Sequence, residues 1–320
     1  MTPSSIQIPR LSLRKRGYAR VWALLPVIGV VAALVSGCGK AGPGEAADGR
    51  LRVVAAESTW GSIAAQLGGD RIDLTETVSS PAADPHDYEP TSEDARTMAG
   101  AQLAIVNGLG YDTWATKLLE ASPSEGRRAI DVGDVLGLED GDNPHQWYSP
   151  SSVRRVTARI AAAYEAADPA DAAYFRQRRH RFERVGLREY DRLIARIRAN
   201  YGGTPVGASE SIFAPLAPAL GLRLLTPSGF LDSVSEGTEP TPADKVVADR
   251  QIADRQIAVW VYNRQNATPD VQRLNHAAEA AGIPIATVTE TPAPAGARFQ
   301  DWQVRQLRAL EATLSRGRGR

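Results

Sequence analysis

Cysteine is almost missing from this chain: 320 residues carry one, Cys38. A single thiol excludes an intrachain disulfide and a metal centre built from several thiolates. Histidine is nearly as scarce. There are four: His86, His145, His180 and His276. No HExxH pair and no His-rich tract occurs, which excludes the commonest helical zinc-hydrolase signature. Charge of one sign is lacking too. Lys plus Arg and Asp plus Glu number 37 each, and a chain with no net charge is no obvious binder of nucleic acid or another polyanion. No internal sequence repeat is visible.

The N-terminal segment is organised differently from the rest. Arg10, Arg14, Lys15, Arg16 and Arg20 precede an apolar stretch from Val21 to Val35, interrupted by Pro26 and Gly29. A positive segment, an apolar run and then small residues form the layout of a secretory signal. The alternative is a membrane-spanning helix, but the run of about 15 residues is short of the roughly 20 that spanning needs. Val35-Ser36-Gly37-Cys38 resembles the lipobox of bacterial lipoproteins. That resemblance implies a signal peptide over 1–37, acylation of the Cys38 thiol, and residence on the extracytoplasmic face of the cell membrane. Residues 38–50 are small, polar and Gly-rich, and read as a flexible tether.

From residue 51 the pattern alternates between short apolar runs and helical periodicity. Leu51–Ala55, Ile72–Val78 and Leu103–Asn107 read as strands, with helices over 60–67, 92–101 (Ser92 as N-cap) and 149–166. Strands alternating with helices predict a parallel sheet covered on both faces. A longer helix is predicted from Asp168 to Tyr201, with Tyr174, Phe175, Phe182, Val185, Leu187, Tyr190, Leu193, Ile194 and Ile197 along one side. At about 30 residues it would span roughly 45 Å, more than one small domain. The alternation then resumes, with strands over 205–208, 223–226, 257–262 and 285–288 and helices over 212–220, 243–254, 271–281 and 302–314. The fold class is therefore α/β. Two α/β lobes with parallel sheets, 51–167 and 202–320, are joined by one long rigid helix over 168–201, and ligands of such sheets bind in the crevice at the carboxyl ends of the strands.

Two histidines stand in proline-stiffened loops. His86 lies in Asp84-Pro-His-Asp-Tyr-Glu-Pro90, and His145 in Asn143-Pro-His-Gln-Trp147. Neutral imidazole suits zinc and other transition metals. Taken alone, each histidine reads either as a ligand or as a hydrogen-bonded loop residue. His180 sits among arginines that would repel a cation, and His276 lies within a helix; both read as surface. Trp60, Trp147, Trp260 and Trp302 read as core or cleft wall. Asn263 to Asn266, leaving a strand end, are placed at the cleft.

Asp84-Pro-His-Asp-Tyr-Glu-Pro-Thr91, with Asp94 and Ala104-Ile-Val-Asn-Gly108, resembles the first binding segment of the zinc/manganese solute-binding proteins of ABC importers (ZnuA/PsaA-type, cluster A-I). Asn143-Pro-His-Gln-Trp-Tyr-Ser-Pro150 is similar to the second. The resemblance extends over about residues 51 to 315. It implies a divalent transition metal held between two lobes as transported ligand, no organic cofactor, an ABC permease and the membrane as partners, a monomer, and no catalysed reaction. Carried over residue by residue, it implies His86, His145, Glu210 and Glu290 as ligands. Glu290 departs from the family's usual Asp, with Asp301 as the fallback. Asp84 reads as a supporting group that orients His86, and Glu57, after the first strand, reads first as a hydrogen-bonded loop residue, with an approach to the cleft floor as the alternative. Two imidazoles and two carboxylates accept Zn, Mn, Fe or Co, and intrinsic affinity favours Zn over Mn. A zinc hydrolase is the alternative from another class, and would keep three protein ligands and an open position. A metal-stabilised surface adhesin is a third role that the resemblance permits.

Overall fold

The computed structural model describes residues 49–81 and 88–318. The signal segment, Cys38, most of the tether, and the loop bearing Asp84 and His86 lie outside the described residues. Strand β1 (Leu51–Glu57) pairs in parallel with β2 (Ile72–Val78) on one side and β3 (Leu103–Val106) on the other, and β3 pairs with β4 (Arg128–Asp131). The second sheet repeats the plan: β5 (Pro205–Ala208) lies between β6 (Arg223–Leu224) and β7 (Val259–Asn263), and β7 pairs with β8 (Ile285–Val288). The orders are β2-β1-β3-β4 and β6-β5-β7-β8. Val53 to Ala56 and Leu103 to Val106 are buried without alternation, as strands covered on both faces must be. All pairings being parallel, the C-terminal ends of each sheet's strands gather at one edge, and loops leaving that edge can converge on a ligand.

The covering helices carry local stop and start signals. Helix α1 (Ser58–Gly68) follows β1 directly and ends at Gly69, whose positive φ of 57° suits glycine. The cap of α2 (Ser92–Gly100) is Thr91, one residue earlier than expected. Its hydroxyl accepts from the Asp94 amide while the Asp94 carboxylate accepts from the Thr91 amide, a reciprocal capping box that Ser92 could not close. Helices α3 (Thr113–Ala121), α4 (Val132–Leu136) and α5 (Pro150–Ala167) complete the first lobe. In the second, the stretch over 212–220 is not one helix. Pro215 and Pro218 break it into a 3-10 turn at Ser211–Phe213 and a short α8 (Ala217–Leu220). Then come α9 (Ser228–Ser235), α10 (Pro242–Ala253), α11 (Pro269–Ala280) and α12 (Phe299–Arg318).

The long connecting helix starts later than expected. The chain turns at 168–171, with Asp168 closing α5, and α6 begins at Ala172. Then α6 (Ala172–Arg181) runs through a π turn at Phe182–Gly186 into α7 (Arg188–Tyr201). In that turn the Leu187 amide donates to the Phe182 carbonyl, 2.9 Å away and five residues back. The extra residue has a visible effect: Phe182 and Leu187 are both buried, while Val185, expected on the same face, is 55% exposed. The α6 half packs on α1 and α5, and the α7 half on α8 and α12. The π turn thus lies where the helix passes from one lobe to the other.

One apolar core runs through both lobes by way of this helix. At their junction Trp60, Trp147, Trp302, Tyr148, Tyr190 and Phe299 are fully buried. Tyr148 meets Trp302 edge-on at 6.0 Å, and Phe299 meets Tyr190 at 6.1 Å. Burying side chains of this kind contributes about 1.5–3 kcal/mol each. The exposed ion pairs along the helix, such as Arg154–Asp191 and Arg176–Glu165, contribute at most about 1 kcal/mol each. Packing therefore holds the lobes on the strut. Among the described residues no helix is long and apolar enough to cross a membrane.

Candidate metal centre

Three side chains from separate elements meet between the lobes. His145 comes from the loop that leads into α5, Glu210 follows β5, and Glu290 follows β8. Each is completely buried, and one ligand atom from each lies within 4.8 Å of the others. A neutral nitrogen and two carboxylates so spaced form a donor set suited to a divalent cation.

Both carboxylates are held by neutral donors. The Asn263 amide nitrogen, at the end of β7, donates to Glu210 Oε1 at 2.7 Å and to Glu290 Oε1 at 2.8 Å. Asn266 donates to Glu210 Oε2 at 3.1 Å, and the Tyr111 hydroxyl, from the first lobe, to Glu290 Oε2 at 2.7 Å. The Glu290 backbone is tied as well: its amide donates to Gln265 Oε1 at 2.8 Å, and its carbonyl accepts from Thr59 Oγ1 at 3.1 Å. His145 Nε2 faces Glu290 Oε2 at 3.8 Å, too far for a hydrogen bond and near enough for both atoms to coordinate one ion.

The loop carrying His145 is fixed from below. Trp60 Nε1 donates to Asn107 Oδ1 at 2.9 Å, and Asn107 Nδ2 donates to the Pro144 carbonyl at 3.0 Å. The backbone amides of Asn107 and Gly108 both donate to Asp112, at 2.6 and 2.8 Å. Trp147 and Tyr111 pack edge-on against the imidazole, at 5.3 and 5.9 Å between ring centres. A cavity of about 460 Å³ opens beside the cluster, lined by Tyr111, Asn143, Ser211, Asp232, Glu236 and Asn266.

Of the residues expected at the site, His145, Glu210 and Glu290 come together. His86 and Asp84 lie outside the described residues. Asp301 does not join: it sits half-exposed in the first turn of α12, paired with Arg298 at 2.7 Å. Arg298 immediately precedes the helix, and its place three residues before Asp301 in the chain explains that local pairing. Glu57 is buried at the end of β1, and its Oε1 has no hydrogen-bond partner among the described residues. Asn263 and Asn266 are where a strand-end segment at the cleft should be. Sequence reasoning missed Tyr111, Asn107 and Asn143. Asn107 and Asn143 lie within the two segments that carry the family resemblance, which gave their positions without their roles; Tyr111 carried no signal.

A family model described as zinc-uptake complex component A, periplasmic, matches residues 53–313. The chain belongs to that family. It is 31% identical over 153 residues to the manganese-binding lipoprotein MntA of Halalkalibacterium halodurans, covering 47% of this chain and 51% of that relative. It is 28% identical over 215 residues to the manganese ABC transporter substrate-binding lipoprotein PsaA of Streptococcus anginosus, covering 60% and 65%. The matched stretches thus span between about half and two thirds of these curated relatives. The solved structure of a Mn-bound periplasmic metal binding protein from Candidatus Liberibacter asiaticus covers 83% of this chain and 100% of its own, at a TM-score of 0.68 and 19% identity. That likeness shows the fold.

Burial gives this site a pH signature. Desolvation, followed by the charges of Asp112 and Glu290, pushes the Glu57 carboxyl well above its usual 4.5. Desolvation likewise pushes Asp112 up to about 7, against the pull of the two amides bound to it. Between the usual and the raised values the folded chain retains protons that the unfolded chain has lost. Stability must therefore fall as pH rises through that window. Glu57→Gln removes one such group, so the metal-free variant should gain stability over the parent at pH 8 and gain less at pH 5. Urea unfolding at the two pH values checks this, and an equal effect at both would contradict it.

Proposed function

We propose that the protein is the metal-capturing component of an ABC importer: a lipid-anchored, extracytoplasmic receptor that closes two lobes on a divalent transition metal and hands it to a permease. The observation carrying this reading is the buried meeting of His145, Glu210 and Glu290 across the lobe junction. Their two negative charges balance a divalent ion, and the imidazole adds a nitrogen donor. In this reading His86 is the fourth ligand. Membership of an uptake-component family supports the role. The ion is cargo, and capture and release make or break no covalent bond.

Intrinsic affinity order favours zinc over manganese at such a set. Manganese is the second reading, because two curated relatives carry that metal in their names and Glu210 supplies a hard oxygen donor. Competition of Zn and Mn for the metal-free protein, with elemental analysis of the protein as purified, separates the two.

Loss of a ligand should be plain in calorimetry. His145→Ala and His86→Ala should each weaken zinc binding at least about tenfold, or about 1.4 kcal/mol. Glu210→Gln and Glu290→Gln should each weaken it, and Asp301→Asn should do less. A parent-like titration at any of the four would remove that residue from the ligand set. A larger loss at Asp301 than at Glu290 would move the fourth ligand.

Selectivity is readable at Glu210. Imidazole is softer than carboxylate, so Glu210→His should raise the preference for Zn over Mn. An unchanged ratio of the two dissociation constants contradicts a selective role for this residue.

Anchoring rests on Cys38. Intact mass spectrometry should find a mature chain beginning at an acylated Cys38, and Cys38→Ser should leave the membrane fraction or keep its signal. A chain beginning near Gly49 should bind metal with unchanged affinity. An unmodified Cys38 ends the lipoprotein reading.

A further inference from the structure

Asn143 is bonded on both sides of the lobe junction. Its Oδ1 accepts from the His145 backbone amide at 2.9 Å and faces His145 Nδ1 at 3.0 Å. Its Nδ2 donates to the carbonyl of Ser211, in the other lobe, at 2.8 Å. These contacts leave the amide one orientation. A backbone N–H can only donate, so the atom facing it is the oxygen. A backbone carbonyl can only accept, so the atom facing it is the nitrogen. An oxygen that carries no hydrogen therefore faces Nδ1, and the contact is a hydrogen bond only if Nδ1 holds the ring proton. Ser211 Oγ, 3.4 Å from Nδ1, gives its own proton to Ser235 Oγ at 3.0 Å, which leaves its lone pairs towards the ring. These two neighbours of Nδ1 among the described residues are thus acceptors. The proton on Nδ1 leaves a lone pair on Nε2, the nitrogen that faces Glu290.

We propose that Asn143 is the positioning residue of His145: its side-chain oxygen fixes the imidazole as the Nδ1–H tautomer, and its side-chain amide ties that setting to closure of the lobes through the Ser211 carbonyl. The inference rests on the cargo reading for its purpose, though not for its geometry. A metal takes the lone pair of a neutral imidazole, and the group bonded to the other ring nitrogen decides which nitrogen offers it. When the lobes part, the Ser211 bond is lost and the Asn143 amide is held from one side alone. The ligand is then set for the ion in the closed form and loosened in the open one.

The test is nitrogen-15 NMR of the His145 ring in the metal-free full chain, assigned by comparison with His145→Gln, alongside zinc calorimetry. The parent should carry its proton on Nδ1. Asn143→Leu, which offers no acceptor, should show the Nε2–H tautomer in substantial population and bind zinc about tenfold or more weakly, the range for losing such a supporting contact. Asn143→Asp keeps an acceptor for both the amide and the ring, so its ring should hold the proton on Nδ1. A parent or Asp variant with the proton on Nε2 overturns the proposal, whether or not the Leu variant folds. So does an Asn143→Leu protein with the parent's ring shifts and zinc affinity. A parent protonated on Nδ1 that binds no metal supports the positioning and removes the cargo reading instead.

Discussion

Two buried carboxylates, Glu210 and Glu290, accept hydrogen bonds from one amide nitrogen, that of Asn263. Like charges with oxygens within 4.8 Å repel by roughly 3–4 kcal/mol at an effective dielectric of about 20. Much of the surrounding structure can be understood as tolerating that repulsion. Hydrogen bonds to a charged group contribute about 1.5–3 kcal/mol each, and Asn263, Asn266 and Tyr111 supply four. All three donors are neutral. A neutral donor steadies a carboxylate without cancelling its charge, so the pair stays attractive to a cation. An arginine at the same place would have stabilised the protein and closed the site to metal.

The fold makes that arrangement possible by bringing two strand edges face to face. Glu210, Asn263 and Glu290 stand at the carboxyl ends of β5, β7 and β8, while Tyr111 and His145 come from loops of the first lobe. Neither lobe holds the complete set. The Tyr111–Glu290, Thr59–Glu290 and Tyr148–Thr289 bonds all cross the junction, so the first lobe holds both the carboxylate and the backbone of the segment that carries Glu290. The strut helix keeps the lobes in register for this, packed on the first by its α6 half and on the second by its α7 half.

Much of this was legible in the sequence. Alternating apolar runs and helical periods announced two parallel sheets, and the strands 205–208 and 285–288 were placed to the residue. The Pro-His loop made His145 a candidate, and the resemblance to the metal-binding family, carried onto the segments after two strands of the second lobe, named Glu210 and Glu290 beside it. What stayed hidden depended on tertiary context. Strand β4, Arg-Ala-Ile-Asp, has two exposed residues and no apolar run, and is a strand because β3 pairs with it. The π turn breaks no composition rule. Its trace was the five-residue step from Phe182 to Leu187, which a straight helix cannot bury on one face. Asn143 and Tyr111 are ordinary loop residues until two lobes close around them.

The two sheets share more than a strand order. In the first, Ala55 stands beside Ile105, and counting on by two sets Glu57 beside Asn107. In the second, Ala208 stands beside Val261, and the same count sets Glu210 beside Asn263. Each lobe thus carries the same two residue types, a glutamate and an asparagine, two positions past the last paired rung of its central strands. The halves differ in how they use them. In one, the asparagine binds the glutamate and presents it to the junction. In the other, Asn107 turns to Trp60 and Pro144, and Glu57 is left buried, with its carboxyl pushed towards the protonated form. One glutamate–asparagine arrangement at the strand ends thus serves once to present a charged carboxylate at the lobe junction and once in the support beneath it.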